Sequence, residues 1–238
     1  AKIVQSSMLP SNFPAFPNRK EFDIYASMDP AKEVGGDFYD FFLVDEDHIA
    51  MVMADVSGKG IPASLFMAQA TRLFRTLAHQ DMMPAEICTR MNRELAGNDN
   101  TNGMFITMFI GMLDMQTGHL DFCNAGHNSP VIGGGKNQGD FLKMEANAPI
   151  GLWQGLNYVG EQIDTIKGRA LFIYTDGLNE AENEKQEQFG EKRLIENLRS
   201  TRYDTAQQVV EIMKAEVEKY RNGAEVNDDL TMMCLKVS

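Results

Sequence analysis

Acidic residues at the ends of apolar, strand-like runs are the sequence feature that most constrains the fold of this chain. They occur four times, at Asp37, Asp55, Asp176 and Asp228, and glycines stand close to the first three. Carboxylate oxygens at strand ends, where glycine lets the backbone approach closely, suit hard divalent cations such as Mg²⁺ or Mn²⁺. The four acids are spread over most of the chain. They can act together only in a fold that gathers distant segments.

The first two acids belong to a predicted β-hairpin. Two apolar runs, residues 38–44 and 49–56, are separated by the acidic stretch 45–48. Apolar runs joined by a short polar turn are typical of antiparallel strands. The acids of the turn are interpreted as solvated rather than as a metal cluster. The hairpin would therefore carry both Asp37 and Asp55.

Beyond the hairpin the apolar residues change to helical spacing. They recur at Phe66, Ala70, Leu73 and Leu77, and after Pro84 at Ile87, Met91 and Leu95. This periodicity predicts two successive helices, with proline suited to the first turn of each. The stripes are typical of core faces. The same helices also follow Asp55 closely enough to influence the loop that carries it, and the two interpretations are compatible.

The rest of the chain predicts further strands and two more helices. Strands are expected at residues 22–26, 104–114, 119–123, 158–163, 169–175 and 230–237, with a hairpin tip at 133–136. Helices are expected around Leu194, Ile195 and Leu198, and around Val210, Met213, Val217 and Tyr220, the latter ending at Asn222-Gly223. Hairpin-connected strands with inserted helix pairs predict an α+β fold with antiparallel sheets covered by helices.

Composition excludes several functional classes. The 238-residue chain has a formal net charge of −12, which argues against a nucleic-acid partner because such binding needs clustered Lys and Arg. No apolar run approaches the ~20 residues of a membrane-spanning helix, and no secretory signal is visible, so a cytoplasmic location is expected. Cys88, Cys123 and Cys234 lack the spacing of a zinc site or a disulfide framework and are expected in the core.

Five motifs together resemble a known family. They are Glu33–Asp40 (EVGGDFYD), Asp55–Gly60 (DVSGKG), Asn124–Pro130 (NAGHNSP), Thr175–Gly177 (TDG) and Asp228–Thr231 (DDLT). In this order they resemble the metal-dependent protein phosphatases (PPM family) related to type 2C. Within that family they resemble the bacterial stage II sporulation protein E type, which acts on partner-switching regulators. A lone Asp-Gly would be an ordinary turn, but the resemblance covers almost the whole chain.

The resemblance implies a fold and a domain organisation. The expected fold is an α-β-β-α sandwich of two mainly antiparallel sheets flanked by helices. One phosphatase domain is expected over residues 11–238, and residues 1–10 are interpreted as the end of a linker helix or as a docked N-terminal arm. An upstream sensory or regulatory domain and a homodimer are compatible with this organisation. The polar stretch 180–188 is either a flap beside the substrate cleft or a solvated loop.

The resemblance also implies a ligand set for two Mn²⁺ or Mg²⁺ ions. In it Asp55 bridges both ions, the Val56 carbonyl assists one, Asp176 and Asp228 complete the shell of the other, and Asp37 supports the second. Residues expected around these ligands are Glu33, Asp40, Gly177 and Asp229, the last with a role that the motif leaves open.

His127 is where this chain departs from the type 2C pattern. The corresponding position is commonly an Asp linked to an additional metal, so the question of whether a third ion binds stays open. A single His in a tight loop is more often a hydrogen-bonded structural residue than a direct participant in chemistry. Both interpretations are retained for His127.

The implied activity is hydrolysis of phosphoserine or phosphothreonine on a regulatory protein by a metal-activated water. By analogy with the bacterial branch, the substrate would be an anti-sigma-factor antagonist of the STAS type. The chain has neither a Cys-x₅-Arg loop nor a Gly-x-Ser-x-Gly elbow, so no side-chain nucleophile is expected. Two alternatives remain: a phosphohydrolase for nucleotides or other small molecules, and a binding module of the same fold that has lost its activity.

Overall fold

A computed structural model of the chain describes residues 5, 7–97, 100, 102–134, 137–200 and 204–238. The chain forms two compact units. The first unit comprises residues 1–11, 32–127 and 144–166, and the second comprises 12–31, 128–143 and 167–238. Each unit is built from three separate segments of the chain. The single domain expected over residues 11–238 stays a prediction.

The described residues include ten strands and five helices. The strands are β1 (Phe22–Asp29), β2 (Phe38–Leu43), β3 (His48–Val56), β4 (Ile106–Asp114), β5 (Leu120–Ala125), β6 (Val131–Gly134), β7 (Asn137–Phe141), β8 (Glu161–Ile163), β9 (Ala170–Tyr174) and β10 (Leu230–Val237). The helices are α1 (Ile61–Ala78), α2 (Pro84–Leu95), α3 (Asp176–Asn179), α4 (Gly190–Ser200) and α5 (Ala206–Arg221).

The first unit is an antiparallel five-stranded sheet in the order β2-β3-β4-β5-β8. Helix α1 packs against β2 and β3, and α2 packs against β4 and β5. The rings of Phe42 on β2 and Phe74 on α1 lie 5.7 Å apart. Because side chains alternate along a strand, Phe38, Asp40 and Phe42 share the face of β2 that meets α1, and Asp37 belongs to the opposite face.

The second unit is another antiparallel five-stranded sheet, in the order β1-β10-β9-β6-β7. Helix α5 packs on β1 and β10, while α4 packs on β7. Strand β9 is central, and four of its five residues are buried, as its nearly continuous apolar sequence predicts. This strand leads directly into Asp176. The α+β class with two mainly antiparallel sheets and flanking helices is confirmed.

Most predicted elements are confirmed, including the hairpin, the α1–α2 pair and the closing strand. Helix α5 ends at Asn222, which adopts the left-handed conformation as the Asn-Gly pair predicts. The tip residues 135–136 of the predicted β6–β7 hairpin lie outside the described residues. The short helix α3, which begins at Asp176, was not predicted.

The buried face of α1 differs from the predicted one. Its buried side chains are Ala63, Met67, Ala70, Thr71, Phe74, Leu77 and Ala78. The predicted members Phe66 and Leu73 are only half-buried. Two overlapping stripes share Ala70 and Leu77, and helical spacing alone does not choose between them. Packing of Phe74 against Phe42 selects the stripe one residue further along.

The N-terminal residues Gln5, Ser7 and Met8 have helical backbone, and Leu9 is 8% exposed. Ile3 and Val4, which entered the linker-helix prediction, lie outside the described residues, so that prediction is not tested. None of the helices in the described ranges has the length and apolar character needed to cross a membrane.

Candidate metal centre

The hairpin of the first unit brings Asp37 and Asp55 to the same end of its ladder. Phe38 pairs with Ala54 at the last rung of the β2–β3 ladder, and each of the two acids lies one residue beyond this rung. Directly opposed residues of antiparallel strands point to the same face. Asp37 is 3% exposed, whereas Asp55 is half-buried. The sequence prediction that one hairpin carries both acids is confirmed.

Gly36 packs closely against the carbonyl of Val56, which is 1% exposed. A Cβ atom at position 36 would lie 2.7 Å from the Val56 oxygen. Real contacts of this kind are not tolerated without a backbone shift, so only glycine fits here. Asp37, Asp55 and the Val56 carbonyl thus belong to the same end of this hairpin. This donor set fits a hard divalent cation.

Asp40, predicted as a supporting residue, is fully buried and binds Arg75 of α1. Arg75 Nη2 donates to Asp40 Oδ1 at 2.8 Å, and Nε donates to Oδ2. Asp40 Oδ1 also accepts the Phe41 N–H at 2.9 Å. The hydrogen bonds to Asp40 raise the pKa of the Arg75 guanidinium, which stays charged. Glu33, by contrast, is exposed.

His127 lies beside the strand neighbour of Asp55. In the β3–β4 ladder Asp55 pairs with Thr107, and Thr107 Oγ1 is 2.9 Å from His127 Nδ1. The His127 N–H donates to Asn124 Oδ1 at 2.6 Å, and Asn124 Nδ2 donates to the His127 carbonyl at 2.9 Å. These contacts fix the loop, and both interpretations of His127 stay predictions. The sequence did not predict the contact of Thr107, because the sequence of a strand does not show which side chains its Thr residues will contact.

The second unit brings Asp176 and Asp228 into adjoining turns. A Cβ atom at Gly177 would lie 1.8 Å from the Asp229 oxygen, so the backbone after Asp176 presses directly on that of Asp228-Asp229. The Thr175 N–H also donates to the Thr231 carbonyl at 3.1 Å. Gly177 thus has a clear role: only a residue without a side chain permits this contact.

The two acids of the Asp228-Asp229 pair have different partners. Asp229 Oδ1 accepts the Ala31 N–H at 2.8 Å and holds the end of the segment that follows β1. Asp228 Oδ1 accepts the Asp229 N–H at 2.9 Å. Asp229 is 6% exposed, while Asp228 is half-buried. The structure therefore gives Asp229 a tethering contact that the motif alone left open.

The ligand set as a whole stays a prediction. Within the ranges that the structure describes, no group of three or more His, Cys, Asp or Glu side chains is placed to hold a metal ion by itself. Each unit supplies a pair of the predicted acids. The cysteines contribute no ligand set: all three are free and buried, as predicted, and burial raises the pKa of the Cys234 thiol to about 12.

Comparison with known proteins identifies the family. The family described as stage II sporulation protein E (SpoIIE) matches residues 45–238. The chain belongs to the SpoIIE family. Among relatives of this SpoIIE-family chain, protein IcfG of Synechocystis sp. is 29% identical over 98% of the chain and 40% of IcfG. Phosphoserine phosphatase RsbU of Bacillus subtilis is 29% identical over 99% of the chain and 68% of RsbU. The chain therefore spans well under half of IcfG.

Solved structures of similar proteins support the fold of this SpoIIE-family chain. The SiaA-PP2C domain of Pseudomonas aeruginosa matches with a TM-score of 0.85 and 21% identity, over 100% of this chain and 94% of that one. RsbX in complex with magnesium matches with a TM-score of 0.70 and 18% identity, over 93% and 98% of the two chains. At these identities the likeness shows a PP2C-like fold.

Proposed function

We propose that this chain is a metal-dependent protein phosphatase that hydrolyses phosphoserine or phosphothreonine on a regulatory protein. The observation that carries the proposal is that Asp37, Asp55 and the Val56 carbonyl, against which Gly36 packs, lie at the same end of one hairpin. Membership of the SpoIIE family and the relative named phosphoserine phosphatase support the reaction class. A relative of the same fold binds magnesium, which supports a hard divalent cation.

The proposed donors are all oxygen atoms. Two Mn²⁺ or Mg²⁺ ions are held by Asp37, Asp55, the Val56 carbonyl, Asp176 and Asp228, with Asp55 shared between them as the family resemblance implies. When bound, such ions lower the pKa of a water toward neutrality and offset the charge of the phosphoester.

This chain's own residues position the donors. The β2–β3 ladder holds Asp37 and Asp55 side by side, and Gly36 allows its backbone to pack closely against the Val56 oxygen. The contact between Gly177 and Asp229 fixes the turns that carry Asp176 and Asp228. Rigid strand ends and turns are suited to holding ligands, because little conformational entropy is lost when the ions bind.

For the substrate we propose a phosphorylated antagonist of an anti-sigma factor, of the STAS type, acting in a partner-switching system. This assignment is supported by the motif resemblance and by similarity to RsbU. Three free buried cysteines are compatible with a reducing compartment, and we propose a cytoplasmic location. An upstream regulatory domain belongs to the same proposal, since the relatives IcfG and RsbU are longer than this chain. The proposal also includes a homodimer, which the motif resemblance alone suggests.

The first test is the metal dependence of hydrolysis. With p-nitrophenyl phosphate as a generic phosphoester, we expect turnover in Mn²⁺ or Mg²⁺, complete loss in excess chelator, and recovery when Mn²⁺ is restored in excess. Calorimetric titration of the metal-free protein with Mn²⁺ gives an independent readout of binding. Full activity in chelator contradicts the metal-dependent reaction. If Mn²⁺ produces neither binding heat nor hydrolysis, the alternative of a binding module without activity is favoured.

The second test separates a protein substrate from a small molecule. Phosphate release is compared for a protein carrying phosphoserine and for free nucleotides at equal concentration. We expect kcat/KM to be higher for the phosphoprotein. A preference for nucleotides would instead identify a small-molecule phosphohydrolase with the same donors.

A further inference from the structure

The segment that carries Asp37 is fastened two residues before this acid by the side chain of Gln5. Gln5 is 6% exposed. Its Nε2 donates to the Gly35 carbonyl at 2.7 Å, and its Oε1 accepts the Gly35 N–H at 3.1 Å. One side-chain amide therefore satisfies both backbone polar groups of Gly35, much as a neighbouring strand would.

The same segment is fastened three residues after Asp37 by Arg75. The Arg75 guanidinium grips both carboxylate oxygens of Asp40, which has no exposed surface. A bidentate Arg–carboxylate pair fixes orientation as well as distance. The guanidinium also lies over the ring of Phe42, 5.5 Å from its centroid. Helix α1 is thereby tied to β2 through one buried carboxylate.

Gln5 and Asp40 are buried at these contacts, whereas the Arg75 side chain is 43% exposed. Removing one partner of such a contact costs more than a typical exposed hydrogen bond, because the other group is left desolvated. The segment between Gly35 and Asp40 is short, so a shift at either end moves the backbone of Asp37. The N-terminal residues also hold β2 through Tyr39, whose hydroxyl donates to the Pro10 carbonyl at 2.7 Å.

We propose that Gln5 and Arg75 are positioning residues that jointly set the place of Asp37 as a metal ligand. This proposal rests on the proposed function, in which Asp37 supports a divalent ion. Through Gln5 the N-terminal segment acts on Gly35, and through Arg75 helix α1 acts on Asp40. Two elements that are far apart in sequence thus converge on one ligand.

The test measures Mn²⁺ affinity in variants that remove one fastening at a time. Gln5→Ala deletes both hydrogen bonds to Gly35, and Arg75→Lys keeps the charge but cannot grip both oxygens of Asp40. We expect the dissociation constant for Mn²⁺, measured by calorimetry, to rise about tenfold in each variant, as for residues that orient metal ligands. Matched controls are Ser11→Ala, at an exposed position of the same N-terminal segment, and Arg72→Lys, at an exposed position of α1. Both controls should bind like the wild type.

The double variant shows whether both residues act on the same ligand. Once Asp37 is displaced, the second substitution has little affinity left to remove, so the combined loss should be smaller than the product of the single losses. Amide hydrogen exchange without metal gives a readout of positioning alone: exchange across residues 33–40 should quicken in Gln5→Ala and in Arg75→Lys.

The outcomes distinguish this proposal from the proposed function. If the wild type binds Mn²⁺ and the variants bind it equally well despite lower melting temperatures, Gln5 and Arg75 are scaffold residues and the positioning role is wrong. If the wild type itself shows no Mn²⁺ binding, the metal-dependent function fails and the positioning role fails with it. If the loss of Mn²⁺ affinity in the double variant equals the product of the two single losses, the residues act independently, and the proposed joint action on Asp37 is wrong.

Discussion

The two acid-bearing regions hold their carboxylates by different means. In the first unit Asp37 and Asp55 are aligned by a strand ladder whose leading end is fastened by side-chain hydrogen bonds from Gln5 and Arg75. In the second unit the turns of Asp176 and Asp228 are held by direct backbone contact at Gly177. A side-chain fastening can be lost while the strand remains. A backbone contact cannot be changed without separating the two turns.

This difference predicts how each region responds to the same small change. Adding one methyl group at a glycine tests both regions with identical chemistry. The nearest atom is the Asp229 oxygen at 1.8 Å for Gly177 and the Val56 oxygen at 2.7 Å for Gly36. Both contacts are with backbone, which cannot rotate away as a side chain can. The second unit should therefore lose more stability, and the first should lose mainly metal affinity.

The largest effect is expected for Gly177→Ala. The new Cβ would overlap the Asp229 carbonyl, so α3 and the Asp228-Asp229 turn must move apart. We expect a loss of about 3 kcal/mol or more in the free energy of unfolding, at the upper end of overpacking effects. Thermal melting in chelator should show a fall of roughly 6 to 12 °C.

A matched control for this substitution is Gly97→Ala. Among the residues that the structure describes, a Cβ at Gly97 would meet only the Glu94 carbonyl, at an ordinary 3.8 Å, and the φ angle of Gly97 is outside the left-handed region. Its melting temperature should stay close to that of the wild type. If Gly177→Ala melts like the control, the contact between Gly177 and Asp229 is looser than the structure shows, and the contrast between the two regions is lost.

An intermediate effect is expected for Gly36→Ala. A shift of a few tenths of an ångström relieves part of the overlap with the Val56 oxygen, so the cost in stability should be about 1 to 2 kcal/mol. The same shift displaces a proposed metal ligand. Calorimetry should therefore show weaker Mn²⁺ binding by about tenfold. A variant that loses stability but keeps its Mn²⁺ affinity would remove Val56 from the ligand set.

Local sequence patterns predicted most of the fold because strands and helices leave periodic signals. The hairpin of β2 and β3 follows from two apolar runs and a polar turn, and the end of α5 follows from Asn222-Gly223. The same patterns predicted that Asp37 and Asp55 would lie together, since one hairpin contains both. The positions of Asp37 and Asp55 relative to each other could thus be predicted from the local pattern of one hairpin.

The contacts that fix these acids could not be predicted in the same way. Arg75 and Asp40 are 35 residues apart, and Gln5 and Gly35 are 30 residues apart. Nothing in the neighbouring sequence marks either pair, because each depends on how separate elements pack. The buried face of α1 lies one residue further along the helix than predicted, for the same reason. Helical spacing permits two apolar stripes, and only the contact with β2 selects one of them.

The polarity of the side chains between residues 180 and 188 also did not predict the backbone hydrogen bonds of this stretch. The sequence suggested either a flap or a solvated loop, yet Glu182 and Gln188 form an antiparallel bridge. The Tyr220 hydroxyl of α5 lies 3.2 Å from the Glu187 carbonyl and 3.1 Å from that of Gln188. Charged side chains can stay in water while their backbone is hydrogen-bonded, and side-chain polarity does not report this.

The smallest effect on stability is expected for Asp228→Asn, which tests whether the second region is built for binding rather than for folding. Asp176, Asp228 and Asp229 bring three negative charges to adjoining turns. The substitution removes one charge and keeps the shape, and an Asn oxygen can still accept the Asp229 N–H. The metal-free variant should be as stable as the wild type or about 1 kcal/mol more stable, as is common where a site is held against stability.

Hydrolysis of p-nitrophenyl phosphate by Asp228→Asn should nevertheless fall by about 100-fold or more, since a lost ligand costs at least as much as a lost orienting residue. Mn²⁺ at 100 times its dissociation constant should stabilise the wild type by about 3 kcal/mol and the variant by much less, because only binding to the folded state raises stability. Glu225→Gln removes the same charge from an exposed position of the second unit and should change neither property. A variant that melts far below the wild type in chelator would make Asp228 a structural residue. Normal hydrolysis would remove it from the metal site, because the neutral Asn oxygen attracts a hard cation less strongly than a carboxylate does.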